Sequence, residues 1–262
     1  MRNFYMSPIC TTRLGDALVS ISNMYHRLST VRGPISVYYH HWPEYYGALW
    51  DLVRHPRTDI DFVKLPTEGD IPLDSSTERE FKHILLKSIN RSQFRWHPSR
   101  AYSMEICHIH PIIRSTLEKL GIAKEDILLN ATDLDDGADY VRLTIPRTPS
   151  GYATFHSRSS SPNGATTLLI KEVEIKARES SARQIDVGEI KNVKELVETL
   201  AGSVHHFGVD SGPAHVALAL GVPVTMFFKE LSGHKGLEGI LGVYGRHVSR
   251  FKLFDCRRID DR

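Results

Sequence analysis

The chain has 262 residues, 41% hydrophobic and 24% charged, which describes a soluble globular protein long enough for two domains and excludes a fibrous or disordered chain. No apolar run approaches the ~18–20 residues of a membrane span, and the start Met1-Arg-Asn-Phe-Tyr-Met6 lacks the apolar core of a signal peptide. Net charge is +2, from 33 basic and 31 acidic side chains, and argues neither for nor against a polyanionic partner.

The elements predicted for the first half alternate in type. Residues 3–9 read as a strand, 16–28 as a helix with apolar spacing through Leu18, Ile21, Met24 and Leu28, and 34–40 as a second strand. A helix is expected over 45–54 and a strand over 60–65, so the β–α–β–α–β order predicts a parallel sheet with crossover helices. Residues 75–90 and 111–120 read as further helices, the latter ended by Gly121, and 139–145 as a strand. The run Pro146-Arg-Thr-Pro-Ser-Gly151 reads as a linker between domains 1–146 and 151–262.

In the second half, 152–157 reads as a strand followed by a polar loop to Gly164, and 166–175 as an apolar segment of either type. A helix is expected over 193–200 and a strand over 205–209. After these come a short apolar helix over 214–220 closed by Gly221, and a strand over 222–228. The tail holds one more strand-like run, 247–254. Three cysteines far apart, Cys10, Cys107 and Cys256, do not suggest a disulfide framework and point to a reducing, cytoplasmic setting.

Chemistry concentrates at two strand-to-helix turns. In the later one Asp210, Ser211 and Gly212 precede Pro213, which suits the start of a helix; Asp or Ser there can cap the first turn. Such a helix start also offers backbone N–H groups and a dipole to a phosphate. In the earlier turn Gly15 allows a tight bend and Asp16 opens the helix, where a carboxylate can serve as a cap or as a base.

The run Gly-Val-Asp-Ser-Gly-Pro-Ala-His-Val-Ala-Leu-Ala-Leu-Gly-Val-Pro-Val, 208–224, resembles the signature of the family 9 glycosyltransferases, best known as ADP-heptose:lipopolysaccharide heptosyltransferases. Thr11-Thr-Arg-Leu-Gly-Asp-Ala-Leu18 resembles the Gly-Asp loop near the N-terminus of those enzymes. The clear resemblance covers residues 3–28 and 193–228. It implies an α/β fold of GT-B type, with two Rossmann-like domains whose parallel sheets face a central cleft. The C-terminal domain would be reduced, because 164–191 offers one apolar segment where a complete β–α–β passage is expected.

Function follows from the same resemblance. The co-substrate is a nucleotide-diphosphate sugar, with no other cofactor and no metal. Asp16 is the catalytic base, in a loop with Arg13 and Gly15. Asp210, Ser211, Gly212, Pro213 and His215 bind the donor, joined by Ser157 and Arg158 from the loop after the first strand of the second domain. The acceptor is a hydroxyl on a bacterial glycan such as lipopolysaccharide core, attacked with inversion. Alternatives are a phage-type enzyme glycosylating hydroxymethylated DNA bases, a nucleotide-sugar epimerase or hydrolase, and an inactive nucleotide-sugar-binding protein.

Other polar clusters read as structural. Cys107-His-Ile-His110 lacks a second pair at ligand spacing, and Asp133, Asp135 and Asp136 read as a solvated turn. Of His205 and His206, one side chain is expected to be buried. His40-His41-Trp42 ends a strand, where an acceptor could be lined.

Overall fold

The computed structural model describes residues 2–6, 14–39, 44–66, 111–128, 134–135, 137–157, 167–180, 183–209, 211–229 and 250–254. The helix expected over 75–90, the Cys107–His110 and His40–Trp42 clusters, Asp133, Asp136 and the three cysteines lie outside the described residues. No helix among the described residues is long and apolar enough to cross a membrane.

The first sheet is built from β1 (Arg2–Met6), β2 (Ile35–Tyr39), β3 (Ile60–Lys64) and β4 (Ile127–Leu128), in the order β3-β2-β1-β4 with every pair parallel. Between β1 and β2 runs α1 (Leu14–Ser29), which buries Leu18, Ile21, Met24 and Leu28, the stripe its apolar spacing predicts. Arg57 ties off its C-terminal end by donating to the carbonyls of Leu28, Val31 and Gly33, while pairing with Asp59. Further along, α3 (Pro111–Leu120) stops at Gly121, whose φ of +63° lets the chain turn as Ile122 N–H reaches back to Leu117 O.

The expected helix over 45–54 is shorter: α2 spans Glu44–Trp50. Residues 139–145 form no strand; a single antiparallel bridge joins Val53 to Leu143. The cause is shared. The chain after Trp50 turns to meet this segment, with Arg54 N–H donating to Arg142 O and Thr144 N–H to Leu52 O, both at 2.7 Å. So short a partner supports one bridge and no ladder. By compactness the chain divides into residues 1–47 with 55–139, and residues 48–54 with 140–262. Within the second unit, Thr148 and Ser150 of the 146–151 run donate to Ala201 O and Gly202 O.

The second sheet holds β5 (Tyr152–His156), β6 (Gln184–Asp186), β7 (Ser203–Val209), β8 (Val224–Lys229) and β9 (Arg250–Phe254), ordered β6-β5-β7-β8-β9 and again all parallel. Residues 167–180 form a helix, α4 (Thr167–Ser180), which settles the ambiguous apolar segment. Its Val173 and Ala177 pack on Ala153, Phe155, Phe207, Val209 and Phe227. Two further helices, α5 (Val193–Ala201) and α6 (Gly212–Ala219), pack on each other and on β7. Every residue of α6 from Ala214 to Ala219 is buried, so it is a core helix with no solvent face there. The strand-like tail supplies the edge strand β9.

Candidate functional site

In an open parallel sheet, ligands gather beyond the carboxyl ends of the strands where the connections change direction. In the second sheet that point lies between β5 and β7. From β5 the chain leaves through α4 to β6 on one side, then returns through α5 to β7 on the other. The residues leaving these two strands are His156-Ser157 and the turn before α6. In the first sheet the same logic selects the end of β1, flanked by β2 and β4, and the residues that follow it into α1.

Ser211 is the N-cap of α6, with extended backbone (φ −157°, ψ 164°). Its carbonyl accepts from the amides of Ala214 at 3.1 Å and His215 at 3.2 Å. Its side chain does not cap the helix, contrary to the expectation from residue type. Instead the hydroxyl donates to Val209 O at 3.1 Å, and Oγ lies 2.9 Å from His156 Nδ1. Among the described residues the amides of Ser211 and Gly212 meet no acceptor, and Pro213, at the second rather than the first helical position, has none to offer. The helix start therefore presents two adjacent N–H groups and a hydroxyl, all suited to one phosphate.

His215 is buried on α6, its Nδ1 2.6 Å from the Tyr140 hydroxyl. Ser157 is buried directly after β5. Asp210 and Arg158 lie outside the described residues, as does Arg13. Gly15 and Asp16 both fall in the first turn of α1, Gly15 buried and Asp16 half-buried, where the helix dipole favours a negative charge.

Sequence reasoning overlooked several residues at this point of the second sheet. His156 stands between Ser211 and Gly188, beside the Asp186 carboxylate, which accepts from Gly188 N–H at 2.9 Å. Burial lowers its pKa and the Asp186 charge partly restores it. His206 is fully buried one register step below, bonded through Nδ1 to Thr154 Oγ1 at 3.0 Å. The signal available in the sequence was the alternation of Thr154 and His156 along β5: polar positions two apart share one face of a strand.

Neither a family model nor a curated protein matches the chain. Solved structures do. The iron-containing dodecameric glycosyltransferase TibC from enterotoxigenic E. coli H10407 superposes with a TM-score of 0.52 at 13% identity, over 97% of this chain and 63% of TibC. This chain thus spans less than two thirds of that protein's length. A glycosyl transferase family 9 protein from Veillonella parvula DSM 2008 gives a TM-score of 0.45 at 12% identity, over 99% and 87% of the two chains. The E. coli ADP-heptose lps heptosyltransferase II gives 0.45 at 14% identity, over 97% and 90%. The likeness to TibC is a likeness of fold, and with two all-parallel sheets separated along the chain it makes this an α/β protein of GT-B type.

Proposed function

We propose that the chain is a glycosyltransferase that moves a sugar from a nucleotide-diphosphate sugar to an acceptor hydroxyl. The observation that carries this reading is the turn before α6. At the switch point of the second sheet it leaves two amides and a serine hydroxyl uncommitted to the helix, a set matched to a diphosphate. TibC, which shares the fold, is itself a glycosyltransferase.

The chemistry needs two things from the protein. A sugar on a nucleoside diphosphate already carries a good leaving group. As the acceptor oxygen bonds to C1 and the C1–O bond to phosphate breaks, negative charge grows on the diphosphate. The Ser211 and Gly212 amides, the Ser211 hydroxyl and the α6 dipole stabilise that charge in this scheme, which also gives Ser157, Pro213 and Arg158 a part in binding the donor. Asp210 orients neighbouring groups and His215 holds the helix start through Tyr140. Asp16 takes the acceptor proton, with Gly15 and Arg13 shaping its loop, and attack opposite the leaving group inverts C1. No metal ion has a step in this scheme. The acceptor class is a bacterial glycan, with ADP-heptose the first donor to try, as the resemblance to heptosyltransferases implies; no observation favours a DNA acceptor.

A thermal-shift series with ADP-, UDP-, GDP- and CMP-sugars tests the reading. One donor class should raise the melting temperature in step with its concentration, since a ligand held only by the folded state stabilises it by mass action. Indifference to all four would contradict the reading.

A further inference from the structure

His156 is the unassigned residue with the most constrained surroundings. It ends β5, and its contact with Ser211 joins the two strands that flank the switch point. The proton count fixes who donates. Ser211 owns a single hydroxyl proton, and Val209 O accepts it at 3.1 Å. The 2.9 Å contact must then be a His156 Nδ1–H donating to Ser211 Oγ, which leaves Nε2 as the lone-pair nitrogen of a neutral ring. Desolvation of the ring favours that neutral form.

The far edge of the ring is confined as well. A Cβ built on Gly188 would stand 3.1 Å from His156 Cδ2 and 3.5 Å from Nε2, and 3.1 Å from Asp186 Oδ1. The glycine is bare where the imidazole and the carboxylate need the space. The ring is bonded to Ser211 at one edge and closely approached by the Gly188 backbone position at the other.

We propose that His156 is the positioning residue of the donor site, fixing Ser211 Oγ so that its hydroxyl and the Ser211 and Gly212 amides converge on one phosphate of a nucleoside diphosphate. This role rests on the glycosyltransferase reading above. When a phosphate oxygen arrives, the Ser211 proton leaves Val209 O by rotation about Cβ–Oγ and is donated to the ligand. The Nδ1–H bond persists through that rotation and keeps Oγ in place. Without it the hydroxyl is free to choose other rotamers, and the site loses one oriented donor.

The test is a double-mutant cycle read by calorimetric titration of ADP, UDP, GDP and CDP into the full chain. An asparagine carries its amide N–H near the place of Nδ1, whereas glutamine reaches toward the place of Nε2. H156Q should weaken the tightest nucleotide about tenfold, the equivalent of one oriented hydrogen bond, and H156N should stay within about threefold of wild type. In an S211A background H156Q should add nothing further, because its effect runs through Ser211. H156F is carried as a second variant lacking the Nδ1–H, so that the cycle survives if one variant fails to fold. Equal losses from H156Q with and without Ser211, or H156N as damaging as H156Q, overturn the role of His156 alone. A folded wild type that binds none of the four nucleotides overturns the glycosyltransferase reading, and this role with it.

Discussion

His206 sits at the bottom of a buried chain of donors. Its Nδ1–H donates to Thr154 Oγ1, the Thr154 hydroxyl donates to Ser203 Oγ at 3.0 Å, and the Ser203 hydroxyl donates to His205 O at 2.6 Å. That leaves His206 Nε2 as a buried acceptor with no hydrogen-bond partner among the described residues, a defect that costs on the order of 1–3 kcal/mol. Burial, with the charges of His156 and His205 adding to it, holds its pKa down at about 3 from an ordinary 6.5. The consequence for stability has a definite sign. Between those two values the unfolded chain carries a proton at this residue that the folded chain refuses. Stability therefore falls as pH drops from about 6.5 toward 3, at up to ~1.4 kcal/mol per pH unit. Melting temperatures measured from pH 7 to pH 5 should decline, and His206→Gln should flatten the decline. An identical slope in the variant would contradict this assignment. His156, lowered in the same direction, adds to the slope.

At the level of elements, the pairing of β5 with β7 decides which residues meet. Tyr152 lies opposite Ser203 but Ala153 lies opposite His205, so β7 carries one extra residue at Val204. The bulge moves His206 opposite Thr154 and Gly208 opposite His156. Without it His205 would face Thr154, His206 would face Phe155 on the apolar side, and Phe207 would face His156. Gly208 completes the arrangement: a Cβ there would lie 2.8 Å from His206 Nε2 and 3.3 Å from the His156 carbonyl. Gly208→Ala should destabilise the protein by about 1–3 kcal/mol through overpacking, lowering its melting temperature and weakening nucleotide binding together. A variant with wild-type melting and affinity would show that the ring moves freely. The sequence announced that one of His205 and His206 is buried, but a one-residue bulge leaves no mark in composition or periodicity, so which one was not legible. β6 was missed for a related reason: three residues, Gln184–Asp186, are too few for alternation to show. Long apolar repeats such as α1, α3 and β7–α6–β8 were legible because burial on one face forces their spacing.

Across the whole molecule, two all-parallel sheets each have one switch point. The two sites that sequence singled out open the helices that follow the strands at those points: Gly15-Asp16 in the first turn of α1 after β1, and Ser211 at the start of α6 after β7. Residue type and position could indicate them because a strand-to-helix turn of small and acidic residues is a local feature. The side-chain partner of Ser211, His156, is distant in the chain and has Gly188 beside its other edge, and only the folded sheet brings these residues together. A glycosyltransferase reading divides the labour between the turns, binding at Ser211 and proton removal at Asp16. Asp16→Asn keeps the shape of the side chain and removes the base. Measured side by side for donor affinity and for sugar transfer to a glycan acceptor, this variant should bind the nucleotide sugar as wild type does. Its transfer rate should fall by about 10²–10⁴-fold, the range of a lost general base. Transfer at the wild-type rate, or loss of donor binding in step with transfer, would contradict the division.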